Sequence, residues 1–379
     1  MRPRSGGRPS ESAAFTVVSP SRLSSWSCAA VALLCACTDA TAPRPAPIDL
    51  TGGWRTASAS SQHIDSAALA AAFAQAPNTL GLRTLLVARN GFLIAEYYHS
   101  PVTADSLSDV RSVTKSITSM LIGIAINRGD LPGVSERLDQ LVPPRIATMR
   151  PDEAAITVDN LLTMTGGWQW NEWTANDYNL WALAPDQIDY LLGRPLVNTP
   201  GTAYTYNSAA VHLLGVGLSV ATGVAEQDYA LTHLLGPLGI NTLAWETDNR
   251  GYNNAAAGLQ LRTRDLAKIG QLVLQNGRTA TAQIVPADWL TTALKVHEAI
   301  ENQYGVVTGL NYGYLWWLTN VQGHTVWLAW GFRGQYIYIV PDQQLVVVAT
   351  SSLDAPESSD DEAIAVLDLI ASGVAPAVH

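Results

Sequence analysis

Alternating apolar and polar positions in the N-terminal third of the chain predict a β-hairpin. Residues 84–98 have the sequence TLLVARNGFLIAEYY, in which two apolar runs flank Asn90 and Gly91. Asn-Gly is a strong signal for a two-residue turn, because both central positions of that turn require a positive φ. The two runs are therefore expected to pair as antiparallel strands.

Further strand patterns lie near the C-terminus. Aromatic and β-branched residues recur in two stretches that glycine or Pro-Asp interrupts, GYLWWLTNVQGHTVWLAWG at 313–331 and GQYIYIVPDQQLVVVATSS at 334–352. The chain closes with SDDEAIAVLDLIAS at 359–372, which predicts a helix that Ser359 caps and that carries acidic residues in its first turn.

These patterns predict an α/β fold of the α+β type. Its antiparallel sheet is built from both ends of the chain and is flanked by helices. Between the two sets of strands, from about residue 130 to 285, the pattern is mainly helical and loop-like, which indicates an inserted helical region. A chain of 379 residues with 47% hydrophobic content is able to bury a large core.

One predicted helix combines an apolar pattern with candidate chemistry. The stretch DVRSVTKSITSMLIGIAIN occupies residues 109–127. Its apolar side chains recur at spacings of three and four, which predicts a helix from near Ser112 to about Asn127 that ends at Gly129. Ser112 and Lys115 both lie in the first turn of this helix.

Ser112 and Lys115 have the spacing of a nucleophile and its base. Side chains three residues apart share a helix face, with Cβ atoms about 5–6 Å apart, so the lysine amine reaches the hydroxyl. A lysine acts as a base only when its ordinary pKa of about 10.4 falls toward 7, and burial and the positive end of a helix both act in that direction. Backbone N–H groups at the same helix end point toward the place where an oxyanion would form.

The Ser-x-x-Lys pattern alone is weak evidence. The chain has three lysines and many serines, so chance places this pattern in about one such chain in five. A solvated lysine on an amphipathic helix is therefore an alternative interpretation. The position of the pattern at a helix start, after a strand-rich segment, favours chemistry.

Net charge excludes one class of function. The formal charge is −10, and basic residues form no cluster beyond the extreme N-terminus. Nucleic-acid surfaces need clustered lysine and arginine to displace counterions. We therefore expect no nucleic-acid partner, and a substrate that is small or uncharged.

The first residues resemble an export signal. Arginines precede the apolar stretch WSCAAVALLCAC from Trp26 to Cys37, which is too short to span a bilayer but has the length of a signal-peptide core. All three cysteines lie in this leader, so neither disulfide nor thiol chemistry is expected in the mature domain. The run from Leu34 to Cys37 resembles a bacterial lipobox, in which Cys37 would carry lipid; an ordinary cleaved signal peptide is the alternative.

The chain is thus predicted to consist of a leader over residues 1–37, a flexible Pro-rich tether over 38–62 and a folded domain over 63–379. Such a protein is exported to the periplasm of a bacterium or held at a membrane surface by its lipid. The lipid would be its sole link to the membrane.

Six motifs occur in the order found in one enzyme family. They are RSVTKS at 111–116, ITVDNLLTMTGG at 156–167, NTPGTAYTYNSAAV at 198–211, LGPLGI at 235–240, GLQLRTRDLAKIGQLVL at 258–274 and AWGFRGQYIYIVPDQQLVVV at 329–348. Across about residues 80–372 the chain resembles the β-lactamase-related serine hydrolases, a group that includes class C β-lactamases, family VIII-type esterases, D-aminopeptidases and nylon-oligomer hydrolases. The resemblance implies a β-lactamase/transpeptidase-like fold, which penicillin-binding proteins share.

The resemblance also implies roles for three side chains. Ser112 would be the acylated nucleophile, Lys115 its hydrogen-bonded base, and Tyr206 the residue that passes a proton between serine, leaving group and water. The family motif Tyr-x-Asn has Ser208 in its third place here, which implies a weaker or different contact to the substrate amide.

A larger departure affects the motif that is usually Lys-Thr-Gly or His-x-Gly. Residues 329–331 are Ala-Trp-Gly. The cation that would bind a β-lactam carboxylate is absent from this place, unless Arg333 reaches in. The strand is still implied to supply a backbone oxyanion donor at Phe332, opposite the N–H of Ser112.

Aromatic residues crowd the segment GGWQWNEWTANDYNLW at 166–181. Its interleaved polar residues do not suit a plain core helix, so we interpret it as a loop over the acyl pocket, where apolar rings suit a small-molecule cleft. Packing of the helical region is the alternative. The residues expected to bind substrate are Ser208, Trp168, Trp170, Trp330, Gly331 and Arg333.

No metal or cofactor is predicted. The histidines show no paired ligand spacing such as His-x-x-x-His, and no glycine-rich phosphate loop of the Gly-x-x-x-x-Gly-Lys kind occurs. The chemistry expected is that of side chains and backbone alone.

Three functions from different classes stay open. The favoured one is a metal-independent serine hydrolase that cleaves esters or small amides through an acyl-enzyme. A β-lactamase, D-alanyl carboxypeptidase or D-aminopeptidase on the same scaffold is the second, and an exported binding protein with a decayed site is the third. The absent cation argues against the second, and the joint presence of Ser112, Lys115 and Tyr206 argues against the third.

Overall fold

The main sheet takes strands from both ends of the chain. The structure is a computed structural model that describes residues 46–142, 148–354 and 359–379, and the predicted leader with Cys37 lies outside them. The strands in chain order are β1 (Arg55–Thr56), β2 (Leu82–Arg89), β3 (Phe92–Tyr98), β4 (Ser108–Asp109), β5 (Ala244–Trp245), β6 (Leu259–Leu261), β7 (Glu298–Tyr304), β8 (Val307–Tyr312), β9 (Trp317–Val321), β10 (His324–Gly331), β11 (Gln335–Val340) and β12 (Leu345–Ser351).

Nine of these strands form one sheet, in the order β1-β3-β2-β12-β11-β10-β9-β8-β7. Neighbouring strands are antiparallel, except that β1 lies parallel to β3. The antiparallel sheet predicted from both ends of the chain is therefore confirmed.

The β2–β3 hairpin turns at the predicted place. Asn90 and Gly91 have φ values of 51° and 78°, the left-handed conformation that an Asn-Gly turn requires. Alternate side chains of β2 face opposite sides of the sheet, since Leu86 belongs to one apolar cluster and Leu85 to the other. Each face of the sheet is therefore buried under helices.

Helices cover the sheet and fill the inserted region, as predicted. In chain order they are α1 (Ser66–Gln75), α2 (Val113–Arg128), α3 (Leu138–Leu141), α4 (Pro151–Ala154), α5 (Val158–Leu162), α6 (Asp177–Ala182), α7 (Gln187–Leu192), α8 (Ser208–Thr222), α9 (Glu226–Ala230), α10 (Thr263–Leu274), α11 (Ala287–Ala293) and α12 (Ser359–Asp368), with short 3-10 or π turns at Ser60–Gln62, Ala76–Asn78, Leu231–Leu235, Gly236–Leu238, Leu369–Val374 and Ala375–Ala377.

A second, smaller sheet was not predicted from the sequence. It consists of β4, β6 and β5, each two or three residues long. Strands of this length are too short to show an alternation of apolar and polar residues. The small sheet matters for the site because β4 leads directly into α2.

Helix α2 is buried in the centre of the fold. It ends at Gly129, whose φ of 79° forms the left-handed cap predicted from the sequence. Every residue from Val113 to Ala125 is buried, and the helix packs against α8 and β10. The first turns of α2 thus have no solvated face, which excludes the alternative interpretation of Lys115 as a surface residue.

Residues 46–62 belong to the fold. Leu50 is buried in the core and Arg55–Thr56 pair with β3. The flexible tether predicted for residues 38–62 is therefore wrong over 46–62. Pro-rich composition suggested a tether, but Leu50, the packing of Ile48 and Trp54 against the core and a two-residue strand hold this segment.

Taken singly, none of the helices in the described ranges is long and apolar enough to cross a membrane. The bent pair Ser208–Thr222 and Glu226–Leu238, at 78° to each other, passes the same requirement by length and composition. Most residues of the first helix of this pair are buried within the fold.

Candidate active site

Ser112 lies at a sharp turn between β4 and α2. Arg111, the residue before it, has a φ of 49°, and its N–H donates to Asp109 Oδ1 at 2.8 Å. Ser112 itself occupies the N-cap position of α2. The turn therefore presents the Ser112 hydroxyl at the positive end of the helix, where backbone N–H groups lack helical partners.

Lys115 is buried beside Ser112, with 1% of its surface exposed. Its Nζ donates to Ser112 Oγ at 2.8 Å and to the Ala256 carbonyl at 2.9 Å. Burial lowers the pKa of Lys115 to about 8, while the charge of Glu172 raises that pKa and the charge of Arg111 lowers it. At mildly alkaline pH the amine is therefore able to accept the Ser112 proton.

Tyr206 joins this pair from the start of α8. Its ring centre lies 4.9 Å from Lys115 Nζ, and its phenol hydrogen-bonds with Ser112. Burial and the charge of Glu172 raise the pKa of the phenol, and the hydrogen bond with Ser112 lowers it. Because raising effects dominate, Tyr206 stays protonated at neutral pH and is placed to exchange a proton with its neighbours.

Two tryptophan rings stack on Tyr206. Trp173 stacks on it at 6.2 Å and Trp317 at 6.1 Å between ring centres. The next residue, Asn207, caps α8 with its side chain. The rings and the cap together fix the phenol relative to α2.

Gly331 brings β10 against the turn that carries Ser112. A Cβ at this position would lie 2.3 Å from the carbonyl oxygen of Val110. Only glycine therefore permits this approach, which puts the end of β10 beside Ser112. Trp330 packs against Tyr304 and Trp317 and belongs to the apolar cluster on the other side of the sheet from α2. The predicted substrate contact of Trp330 is therefore wrong, because alternate side chains of β10 face opposite sides of the sheet.

The aromatic segment 166–181 contains both core residues and exposed residues. Trp168 is 1% exposed and donates its indole N–H to buried Glu153 at 2.9 Å, and Trp181 is equally buried. The predicted substrate contact of Trp168 is therefore wrong, and the alternative of core packing holds for it. Trp173, in contrast, is 67% exposed although it stacks on Tyr206.

Glu172 lies between two parts of the site. Its Oε1 accepts a hydrogen bond from Trp170 Nε1 at 3.1 Å and another from the Ser208 N–H at 2.5 Å. Its charge acts on Lys115 and on Tyr206. Trp170, expected to bind substrate, is largely buried and holds Glu172.

The chain matches one protein family over most of its length. The Beta-lactamase family model matches residues 67–372. The chain belongs to the beta-lactamase family. The predicted family resemblance and the predicted fold are thereby confirmed.

Relatives of this family member are hydrolases. The 6-aminohexanoate-dimer hydrolase of Paenarthrobacter ureafaciens is 25% identical over 301 residues, which cover 72% of this chain and 73% of that protein. A Bacillus anthracis structure provisionally named 6-aminohexanoate-dimer hydrolase superposes with a TM-score of 0.69 at 19% identity, over 86% of this chain and 89% of that one. A D-stereospecific amidohydrolase from Streptomyces sp. gives 0.63 at 16% identity, over 81% and 99%. The chain is a hydrolase of the beta-lactamase fold.

Ser208, in the third place of the family's Tyr-x-Asn motif, does not face the cleft. It is buried, and its Oγ has no hydrogen-bond partner among the residues that the structure describes. The predicted substrate contact of this side chain is therefore wrong. The reason is that α8 begins at Ser208 and turns the side chain toward the core, while its N–H points to Glu172.

Arg333 does not replace the cation that this beta-lactamase family member lacks at residues 329–331. Its guanidinium pairs with buried Glu362 of α12. The expectation that Arg333 serves the cleft is therefore corrected. The cation that acts on Lys115 is Arg111, held 3.2 Å from Asp109 Oδ2.

Three contributors to the site were missed in the sequence. Ala256 acts through its carbonyl, which no side-chain motif reveals. Arg111 had one signal, its place directly before Ser112, and Glu172 had one, its place among the tryptophans. Over the described ranges, no group of three His, Cys, Asp or Glu side chains is arranged to hold a metal ion.

Proposed function

We propose that this family member is a serine hydrolase that cleaves carboxylic esters or small linear amides through an acyl-enzyme on Ser112. The observation that carries the proposal is the buried Lys115 Nζ, 2.8 Å from Ser112 Oγ and 4.9 Å from the Tyr206 ring centre. A lysine whose pKa is about 8 is a competent base near neutral pH, and the hydroxyl within hydrogen-bond distance of it becomes a nucleophile.

In acylation, Ser112 Oγ bonds to the substrate carbonyl carbon while its proton moves to neutral Lys115. The charge that develops on the carbonyl oxygen is stabilised by the backbone N–H groups of Ser112 and Phe332. When the tetrahedral intermediate collapses, the bond to the alcohol or amine breaks. Tyr206 gives its proton to the departing atom and regains one from Lys115, so Lys115 is neutral again.

In deacylation, water repeats these steps. Tyr206 accepts a proton from water as the water oxygen bonds to the acyl carbon, and passes its own proton to neutral Lys115. The bond to Ser112 Oγ then breaks, and Oγ regains its proton from Lys115. The free enzyme and a carboxylic acid result, with no net change in protons on the three side chains.

Two exposed aromatic rings beside the site support an apolar substrate. Trp173 and Phe332 are both exposed large rings, one stacked on Tyr206 and the other next to Gly331, and they favour an apolar acyl or leaving group. Residues 329–331 offer no cation for a carboxylate. The name of the Paenarthrobacter relative refers to a linear amide, which supports including amides.

A panel of p-nitrophenyl esters, linear amides and a cephalosporin tests this proposal. We expect ester and amide hydrolysis by the wild-type protein, none by Ser112→Ala, and a fluorophosphonate adduct that peptide mass spectrometry places on Ser112. An adduct on another serine, or hydrolysis that survives in Ser112→Ala, overturns the proposal.

Export is the second part of the proposal. The apolar run from Trp26 to Cys37 and the lipobox-like Leu34 to Cys37 support secretion with a lipid on Cys37. The catalytic domain would then work at a membrane surface on the outer side of the cytoplasmic membrane.

A further inference from the structure

One oxygen of Glu172 joins two segments that border the nucleophile. Oε1 accepts the Trp170 indole N–H at 3.1 Å and the Ser208 N–H at 2.5 Å. Trp170 is fixed in the core and Ser208 is the first residue of α8. The carboxylate therefore ties the aromatic segment to the helix start that follows Tyr206.

Glu172 lies at the start of α8, a position that suits a negatively charged group. The Asn207 side chain satisfies the N–H of Ala210, and Glu172 satisfies the N–H of Ser208, both in the first turn of α8. A carboxylate at the positive end of a helix is stabilised by the helix dipole. Glu172 thus completes the cap that Asn207 begins.

Both segments that Glu172 joins also position Tyr206. It precedes Asn207 in the chain, and Trp173, which follows Glu172 directly, stacks on its ring. Moving Glu172 would release the stacking partner and the helix start together. The phenol would then lose its fixed place above Lys115.

We propose that Glu172 is a positioning residue for the hydrolysis: it fixes the aromatic segment against the first turn of α8 and so holds Tyr206 over Ser112 and Lys115. This inference rests on the proposed function. It assigns to Glu172 no contact with the reacting atoms.

The charge of Glu172 gives the proposal a distinct electrostatic signature. Three titratable or charged groups face Lys115: Glu172 from the aromatic segment, Arg111 from the turn before α2 and Tyr206 from the start of α8. Glu226 of α9, also buried, bonds instead to Thr118, one turn further along α2. Glu172 raises the pKa of Lys115 and Arg111 lowers it. Removing the charge of Glu172 should therefore lower that pKa, and removing the charge of Arg111 should raise it.

Two substitutions separate geometry from charge. Glu172→Gln keeps an acceptor oxygen for Trp170 and Ser208 but removes the charge, and Glu172→Ala removes both. We expect Glu172→Gln to keep kcat within about tenfold of the wild type and to move the acid limb of the kcat/KM profile to lower pH. We expect Glu172→Ala to lower kcat by about a hundredfold with a small change in KM, the effect of a misplaced catalytic group.

Asp361→Asn, an exposed change on α12, is the matched control for loss of one carboxylate and should alter neither kcat nor the profile. Urea unfolding of each variant reports whether it folds. If Glu172→Ala does not fold, the pH profile of kcat/KM for Glu172→Gln tests the inference. An unshifted profile in Glu172→Gln, or wild-type kcat in a folded Glu172→Ala, overturns the inference. Hydrolysis that survives in Ser112→Ala overturns the proposed function instead, so the two failures are distinguishable.

Discussion

The pH dependence of hydrolysis tests the role of Lys115 most directly. Burial brings the pKa of its ammonium from 10.5 to about 8. At pH 7 a lysine with this pKa is neutral in about one molecule in eleven, whereas an ordinary lysine is neutral in about three in ten thousand. The fold thus raises the fraction of active base by roughly 300-fold at neutral pH. That factor is what the buried site contributes before any chemistry occurs.

The assay is kcat/KM for p-nitrophenyl butyrate between pH 6 and 10, corrected for spontaneous hydrolysis. Since the neutral amine is the active form, we expect the rate to rise tenfold for each pH unit below about 8 and to level off above it. The apparent value belongs to the coupled Lys115 and Tyr206. A flat profile from pH 6 to 10 would show that the Lys115 ammonium does not control the reaction.

Lys115→Arg is the discriminating substitution. It keeps a positive charge, but a guanidinium does not release its proton in this range and cannot act as a base. We expect it to lower kcat by on the order of a thousandfold or more, as Lys115→Ala does. An Arg variant with near wild-type activity would refute the reasoning, because a positive charge alone would then suffice.

Three further predictions concern specificity, geometry and anchoring. kcat/KM for p-nitrophenyl butyrate should exceed that for nitrocefin by about ten- to 150-fold, since a lost charge-assisted contact costs about 1.5–3 kcal/mol; comparable rates would contradict the absence of a carboxylate-binding cation. Gly331→Ala should slow fluorophosphonate labelling of Ser112 by about a hundredfold, because its Cβ would lie 2.3 Å from the Val110 carbonyl; unchanged labelling contradicts the close approach. In a Gram-negative host, Cys37→Ser should move the protein from the membrane to the soluble fraction and remove a lipid-sized mass; equal mass and solubility in both forms would exclude lipidation.

Features that depend on residues close together in the chain were predicted from the sequence. The spacing in α2 and the cap at Gly129 required only neighbours in the chain, and so did the placement of Ser112 beside Lys115 three residues later. The Asn-Gly hairpin belongs to the same class. Tyr206 was assigned by family resemblance alone, because no spacing rule connects residues that far apart.

Long-range packing decided what the sequence left open. Trp168 and Trp173 have the same chemistry and lie five residues apart, yet Trp168 is in the core and Trp173 is 67% exposed. Arg333 was the expected cation and Arg111 was missed, although both side chains carry the same charge. Arg333 lies at a turn and pairs with buried Glu362 of α12, whereas a different turn places Arg111 next to Ser112.

The buried amine should also weaken the fold, and the pH at which it does so is fixed by its pKa. Lys115 has a folded pKa of about 8, below the ordinary 10.5. Below pH 8 the charge is present in folded and unfolded chains, and the folded one bears a burial penalty of roughly 3 kcal/mol. Between pH 8 and 10.5 the folded chain loses its proton first, so stability rises with pH until the penalty is gone.

Lys115→Met isolates this contribution. It removes the penalty and leaves the Ala256 carbonyl without its donor, at a cost of about 1–3 kcal/mol that does not depend on pH. The free energy of unfolding of Lys115→Met minus that of the wild type should therefore be constant below pH 8 and fall by roughly 3 kcal/mol by pH 10.5, whatever its starting value. Taking the difference cancels the tyrosines that titrate in the same range. Urea unfolding at pH 7, 8.5, 9.5 and 10.5 measures it, and a difference that stays constant over this range would mean that Lys115 is not held in the folded protein with a lowered pKa.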